Sequence, residues 1–239
     1  MRKAAIAATV YLKNYIPPAF LIPEVELDIS LFEDHAVVRS KLAVERNREA
    51  ADSTAPLQLN IDELRVESVI LNKIALTTDQ YTVDEHHLTI TKAPNTFELA
   101  TVCRIYPEQN SKLMGIYTSS TGFFSLCEAE GFRRITPFLD RPDVMARYRV
   151  TLHADRERYP VLLANGNLIA AGEETKGRHW TTWQDPFPKP SYLFAVVAAR
   201  LDQRTDSFFT RSGRKVALTF FVEPGKLDQV AFALDVSFQ

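Results

Sequence analysis

Cysteine is nearly absent from this chain. Cys103 and Cys127 are the only two in 239 residues, too few for the disulfide framework of a small extracellular fold. Two buried free thiols in a reducing compartment are the simpler reading, with one bridge between them the alternative, and two cysteines leave little from which to build a structural zinc site. Long hydrophobic runs are missing too: none approaches the ~18 residues that a membrane span requires. The opening MRKAAIAATVYL joins two cations to a short apolar run, but it runs straight on to Lys13 and offers no small-residue cleavage context. Export is therefore not expected and a cytoplasmic location is, with no membrane partner. Basic excess is lacking: the net charge is −2 and the pI near 6.2, so nucleic acid is not an expected partner. There is no glycine-rich phosphate loop, no G-x-S-x-G elbow and no internal repeat.

What is present is strand periodicity. EVELDISLFE, from Glu24, places Val25, Leu27, Ile29 and Leu31 on one face and acids on the other, the pattern of a half-buried strand. A turn at Asp34-His35 and the run VVRSKLAVER, with Val38, Leu42 and Val44 on a common side, predict a hairpin. Glu45 to Pro56 is polar and aperiodic, an exposed loop. Short apolar runs resume at LQLNI, LRVESVIL, YTV and HLTIT, and FELATVCRIYP alternates over Phe97, Leu99, Thr101, Cys103 and Ile105. Pro107 to Ser125 is rich in turn residues and reads as a surface loop. Beyond Val144 the strand signals return, with ANGN at Ala164 to Asn167 and Lys176-Gly177 as hairpin turns. Helical periodicity appears only in KLDQVAFALDVSFQ, where Leu227, Val230, Ala231 and Leu234 share a face. These readings predict an all-β sandwich or large curved sheet in one domain.

The densest chemistry lies in LCEAEGFRRITPFLDRPDV, Leu126 to Val144. Glu128, Glu130, Asp140 and Asp143 are set among Arg133, Arg134 and Arg141. Unpaired carboxylates are too costly to bury, so the stretch reads as a semi-buried, ion-paired crossover that turns at Arg141-Pro142-Asp143. Either it is a structural salt-bridge knot, or Glu128 or Glu130 is left facing a cleft. Downstream, the aromatics His179, Trp180, Trp183, Phe187, Tyr192 and Phe194 read as core and interface residues.

Two long motifs carry a family resemblance. LCEAEGFRRITPFLDRPDV resembles a segment of the N-terminal domain of bacterial aminopeptidase N, a zinc metallopeptidase. GRHWTTWQDPFPKPSYLFAVVA, Gly177 to Ala198, resembles the aromatic and proline-rich hairpin and following strand of the same domain. The likeness runs from about Tyr11 to about Leu234. It implies a saddle-like all-β domain over residues 1–239, with its β core at about 11–225 and with 226–239 starting a helix that leads toward a catalytic domain. It also implies a site. The family's Q-C-E-A-E motif offers a glutamine and, two residues later, a glutamate to the pocket that holds the first residue of a peptide. Here the glutamate is Glu128, expected to attract the free α-ammonium group, and Leu126 stands in the glutamine position.

The parent enzymes use one zinc ion, yet this chain has neither the H-E-x-x-H arrangement that would hold it nor the G-A-M-E-N segment. His86-His87, in an expected strand, would point to opposite faces and could not share an ion. No zinc and no peptide hydrolysis are therefore expected of the chain by itself. Its expected partners are an aminopeptidase catalytic domain and peptide N-termini. The alternative is a stand-alone, non-catalytic interaction domain.

Overall fold

A computed structural model describes residues 11–232, and the elements within it are overwhelmingly strands. In chain order they are β1 (Phe20–Leu31), β2 (Ala36–Arg46), β3 (Leu57–Asn60), β4 (Arg65–Leu71), β5 (Ile74–Ala75), β6 (Tyr81–Val83), β7 (His87–Ile90), β8 (Thr96–Ile105) and β9 (Gly115–Ser119). They continue with β10 (Gly122–Leu126), β11 (Met145–Asp155), β12 (Val161–Ala164), β13 (Asn167–Glu173), β14 (Arg178–Pro190), β15 (Val196–Ala199), β16 (Asp202–Phe209) and β17 (Lys215–Val222).

Eight strands form the main sheet, in the order β13-β14-β11-β1-β2-β8-β4-β5. The β1–β2 hairpin forms where alternation predicts it, with Ile29 opposite Val38 and Val25 opposite Leu42. β11 lies parallel to β1, which makes the sheet mixed. Val25, Leu27, Ile29, Val38, Leu42, Leu99, Val150 and Leu152 are buried on its inner face, each worth about 1.5–3 kcal/mol of apolar transfer. On the outer face a row of acids on β1, Glu24, Glu26 and Asp28, runs between cations of β2 and β11. Lys41 reaches Glu26 at 3.8 Å and Arg39 reaches Asp28 at 3.5 Å. A shallow groove of about 480 Å³ follows this charged face.

Two smaller sheets, β12-β15-β10-β9 and β3-β7-β6, cover the inner face and contribute Phe123, Leu162, Val196, Leu57, Leu59 and Leu88 to the same apolar core. β16 and β17 form a separate two-stranded ribbon.

Several expectations are corrected here. The turn-rich segment before Ser125 is no loop: β9 and β10 pair as a hairpin, Gly122 opposite Ser119. Ala164 to Asn167 is not a hairpin turn, because β12 pairs with β15 whereas β13 pairs with β14 in the other sheet. Gly166 is needed at this crossing, since a Cβ there would sit 2.2 Å from the Gln184 carbonyl oxygen. Lys176-Gly177 does turn β13 into β14, with both residues at positive φ. His86 lies in the turn before β7 and only His87 is in the strand. Cys103 and Cys127 are buried and free, so the disulfide alternative falls. Of the expected C-terminal apolar stripe, Val230 is buried while Leu227 and Ala231 are exposed; Leu234, like Met1 to Val10, lies outside the described residues.

Candidate substrate-recognition site

Leu126 to Val144 crosses from β10 in the small sheet to β11 in the main one. A tight turn opens it. The Gly131 amide donates to the Cys127 carbonyl at 2.8 Å, and a Cβ on Gly131 would meet the Leu126 carbonyl oxygen at 2.4 Å, so only glycine fits. The Glu128–Ala129 peptide bond within the turn is cis. A short 3-10 turn, Phe132–Arg134, follows. Phe132 is fully buried, with its ring centre 4.9 Å from that of Phe138, 5.0 Å from Phe194 and 5.9 Å from Tyr148, all edge-on. Edge-to-face packing of this kind adds stability beyond the buried area. Of the aromatics expected in the core, Phe194 is there, Trp180 and Trp183 are half-buried, and Phe187 is 74% exposed.

Polar ties hold the rest of the crossover. Thr136 donates to Ser40 at 3.0 Å, and Ser40 bonds Thr101 at 2.8 Å, a buried hydroxyl chain pinning the crossover to β2 and β8. Asp140, its side chain wholly buried, accepts from the Arg133 backbone amide (3.2 Å), from Arg133 Nε (3.0 Å) and from the Ser191 hydroxyl (2.5 Å). A buried carboxylate satisfied at both oxygens avoids the cost of an unpaired charge. Asp143 takes two bonds from Arg141, at 2.9 and 2.7 Å, and one from the Tyr15 hydroxyl at 2.9 Å. The Arg141 guanidinium, then burial working against it, holds the Asp143 carboxyl below its ordinary range.

Arg134 departs from the expected pattern. Its partners lie outside the stretch: Asp62 at 2.5 Å and Glu63 in the loop after β3, and the Met114 carbonyl, just before β9, at 3.0 Å. Lys112 joins the cluster 2.7 Å from Glu63. Arg134 first, then Lys112, push the Glu63 carboxyl down to about 2. Periodicity could not reveal this cluster, because the arginine and its acids stand far apart in sequence; the adjacent pair Asp62-Glu63 beyond an apolar strand was the only sign.

Three of the four acids in the stretch thus have partners: Glu130 with Arg133 (3.1 Å), Asp140 with Arg133 and Ser191, and Asp143 with Arg141 and Tyr15. Glu128 is exposed, and among the described residues no hydrogen bond or ion pair engages its carboxylate. Leu126, two residues earlier at the end of β10, is 45% exposed. Cys127 between them points inward, and its thiol is pushed up by burial and then by Asp140.

The histidines do not converge. His35 bonds Asp34, His153 bridges Asp28 and Glu174, His179 bonds the Tyr159 carbonyl, and the rings of His86 and His87 are 6.4 Å apart and nearly perpendicular. Among the described residues no group of three histidine, cysteine, aspartate or glutamate side chains could hold a metal ion, so they do not fit the zinc of the family. Nor is any helix among them long and apolar enough to cross a membrane.

Known proteins share this sequence pattern and fold. The chain is 46% identical over 226 residues to aminopeptidase N of Caulobacter vibrioides and 43% identical over 224 residues to that of Escherichia coli. These alignments cover 95% and 94% of this chain but only 26% and 25% of the relatives, so the chain spans about a quarter of their length. A solved Legionella pneumophila aminopeptidase A, in complex with aspartic acid, superposes with a TM-score of 0.91 at 32% identity, over 95% of this chain and 27% of that one. An M1 zinc metallopeptidase from Deinococcus radiodurans shares the fold at a TM-score of 0.70 and 18% identity, over 88% of this chain and 49% of that one. Residues 22–193 match the family described as the Peptidase M1 N-terminal domain, and the chain belongs to that family as an aminopeptidase N-type N-terminal domain.

Proposed function

We propose that this chain is the part of a zinc metalloaminopeptidase that covers one side of the active-site cleft and presents Glu128 to the α-ammonium group of a peptide's first residue. The observation that carries the reading is the singling out of Glu128. In a stretch whose other acids are all paired internally, one carboxylate is left exposed and unengaged, on a turn made rigid from below by Phe132 and from the side by the Arg133–Asp140 pair. An unpartnered carboxylate attracts a cation without first giving up a bond of its own. Leu126 offers the same locality an apolar contact in place of an amide. By itself the chain hydrolyses nothing; the metal and its chemistry belong to a catalytic domain, which is its partner.

The β16–β17 ribbon supports that partner. It lies beyond the matched residues 22–193, its inward face carries Val216, Leu218, Phe220 and Val222 only half-buried, and Phe209 is 69% exposed. A two-stranded ribbon is marginal in water without a surface to pack on.

Mixing the purified chain with a separately expressed catalytic portion of the Caulobacter vibrioides relative tests the reading. A complex is expected in the ultracentrifuge, together with hydrolysis of an aminoacyl amide. Glu128→Gln is expected to leave the complex intact and raise KM about ten- to a hundredfold, since a charge-assisted hydrogen bond is worth about 1.5–3 kcal/mol. Absence of any complex would replace this reading with that of a stand-alone interaction domain, and an unchanged KM would remove Glu128 from recognition.

A further inference from the structure

Two guanidinium groups follow Glu128 closely in the chain, and a free arginine is the natural partner of an exposed carboxylate. Neither takes it. Arg134 is turned away to Asp62, Glu63 and the Met114 carbonyl. Arg133 is the closer competitor, because its Nη2 already lies 3.1 Å from Glu130, two residues from Glu128 on the same turn. The rest of its guanidinium is drawn inward. Nε donates to the Asp140 carboxylate at 3.0 Å and Nη2 to the Asp140 carbonyl at 3.2 Å, while the Arg133 amide donates to the same carboxylate oxygen at 3.2 Å. The Ser191 hydroxyl donates to the other oxygen at 2.5 Å. The Asp140 side chain has no exposed surface, so it meets no ligand itself. A neutral residue could fill that space without the cost of burying a charge. What it could not do is outcompete Glu128 for Arg133.

We infer that Asp140 is a positioning residue for the recognition site: it sequesters Arg133, so that Glu128 stays unpaired and open to an incoming ammonium group. The inference rests on the reading of Glu128 given above and adds the reason its carboxylate is free. An arginine on the same turn competes at high effective concentration, and an ammonium group arriving from solution would have to displace it. Asp140 prevails over Glu128 because it is buried, where the attraction between opposite charges is screened less than at the surface. Ser191, by holding the second oxygen, keeps that carboxylate aimed at Arg133.

Asp140→Asn keeps the shape but leaves one acceptor oxygen for three donors, the Arg133 amide, Arg133 Nε and the Ser191 hydroxyl, so Arg133 is released toward Glu128. Adding Arg133→Gln removes the competitor and replaces a buried ion pair by a neutral one, which an interior tolerates better than a broken pair. The readout is carbodiimide-driven amidation of Glu128 by glycinamide, located by tandem mass spectrometry on the chain alone, with the paired Glu130 as internal reference. Labelling is expected to be faster at Glu128 than at Glu130 in the unaltered chain, to fall severalfold at Glu128 in Asp140→Asn, and to recover in the double variant. A substitution that merely loosened the turn would not lower the labelling, nor be rescued by loss of the arginine. On the unaltered chain, where no variant has to fold, phenylglyoxal should spare Arg133 and modify the exposed Arg48 and Arg211. In the complex with the catalytic portion, KM should rise in Asp140→Asn and recover in the double variant while kcat holds. Glu128 labelling that stays level or rises in Asp140→Asn, a double variant without recovery, or Arg133 modified as fast as Arg48 would overturn the inference. So would a KM that responds to Glu128→Gln but not to Asp140→Asn. If the labelling behaves as expected and Glu128→Gln leaves KM unchanged, Arg133 is sequestered but Glu128 does not bind the amine, so the two readings fail separately.

Discussion

At the scale of single residues, Tyr148 sits where an aromatic ring is wanted and a hydroxyl is not. The ring packs on Phe132 and Phe194, with the Lys189 ammonium 3.9 Å from its centre, but the buried hydroxyl has no hydrogen-bond partner. Lys189 lies 2.9 Å from Asp185, close enough for an ion pair though outside hydrogen-bond alignment. Burial, opposed by Asp185, pulls the Lys189 ammonium below its ordinary range. Tyr148→Phe keeps the ring contacts and removes the stranded oxygen. It should raise unfolding stability by about 1 kcal/mol, read as a higher urea midpoint at unchanged slope. His153 behaves in the opposite sense. Its Nε2 lies 3.1 Å from Asp28 and its Nδ1 2.7 Å from Glu174, and Asp28 chiefly, with Glu174, raises the imidazole above its ordinary value against the effect of burial. A raised folded value means the contribution is fully present below the unfolded value of about 6.5 and is lost as pH rises through the folded one. Asp28, held low first by His153, works the other way: its share is present above its unfolded value and lost as pH falls through the folded one. Stability should therefore decline as pH rises above about 6.5, and His153→Gln should flatten that decline.

At the scale of elements, the turn after β10 is the most exacting. Gly131→Ala would drive a methyl into the Leu126 carbonyl, which sits on backbone and cannot swing away. A loss of about 3 kcal/mol is expected in denaturant unfolding, with faster amide exchange around Glu128. The same elements show what the sequence discloses and what it hides. Alternation in EVELDISLFE and VVRSKLAVER gives β1, β2 and their shared buried face directly, because a period of two reports which side of a strand meets the core. It does not report which sheet a strand joins. ANGN has turn chemistry whether the chain doubles back or, as here, passes from one sheet to another. β9 and β10 were hidden for a related reason: five-residue strands dense in glycine and serine carry more turn signal than strand signal. At the site, the pairing of Arg133 with Asp140 could be expected from their closeness in the chain, whereas Arg134 with Asp62 and Glu63 required the fold. Glu128 was singled out by a family motif; its exposure beside three paired acids is a property of the structure alone.

At the scale of the whole molecule, a strongly apolar core is spread beneath one large sheet and closed by small ones, while a ribbon with half-buried aromatics lies outside the matched family segment. The two cysteines sit at well-separated places in that core. Cys103 is wholly enclosed in β8 and its thiol is pushed up to about 12, chiefly by burial; Cys127 is enclosed at the root of the turn after β10. Neither offers a thiolate to solvent while the fold is closed. Native protein should therefore resist a thiol-specific dye and consume two equivalents only in denaturant. Under native conditions the slow residual labelling would measure opening events, and it would time them at two addresses. Mass spectrometry of partly labelled chains would show whether the turn lifts from the sheet before β8 parts from its neighbours, so the scarcest side chain in the sequence doubles as a built-in clock for breathing of the domain.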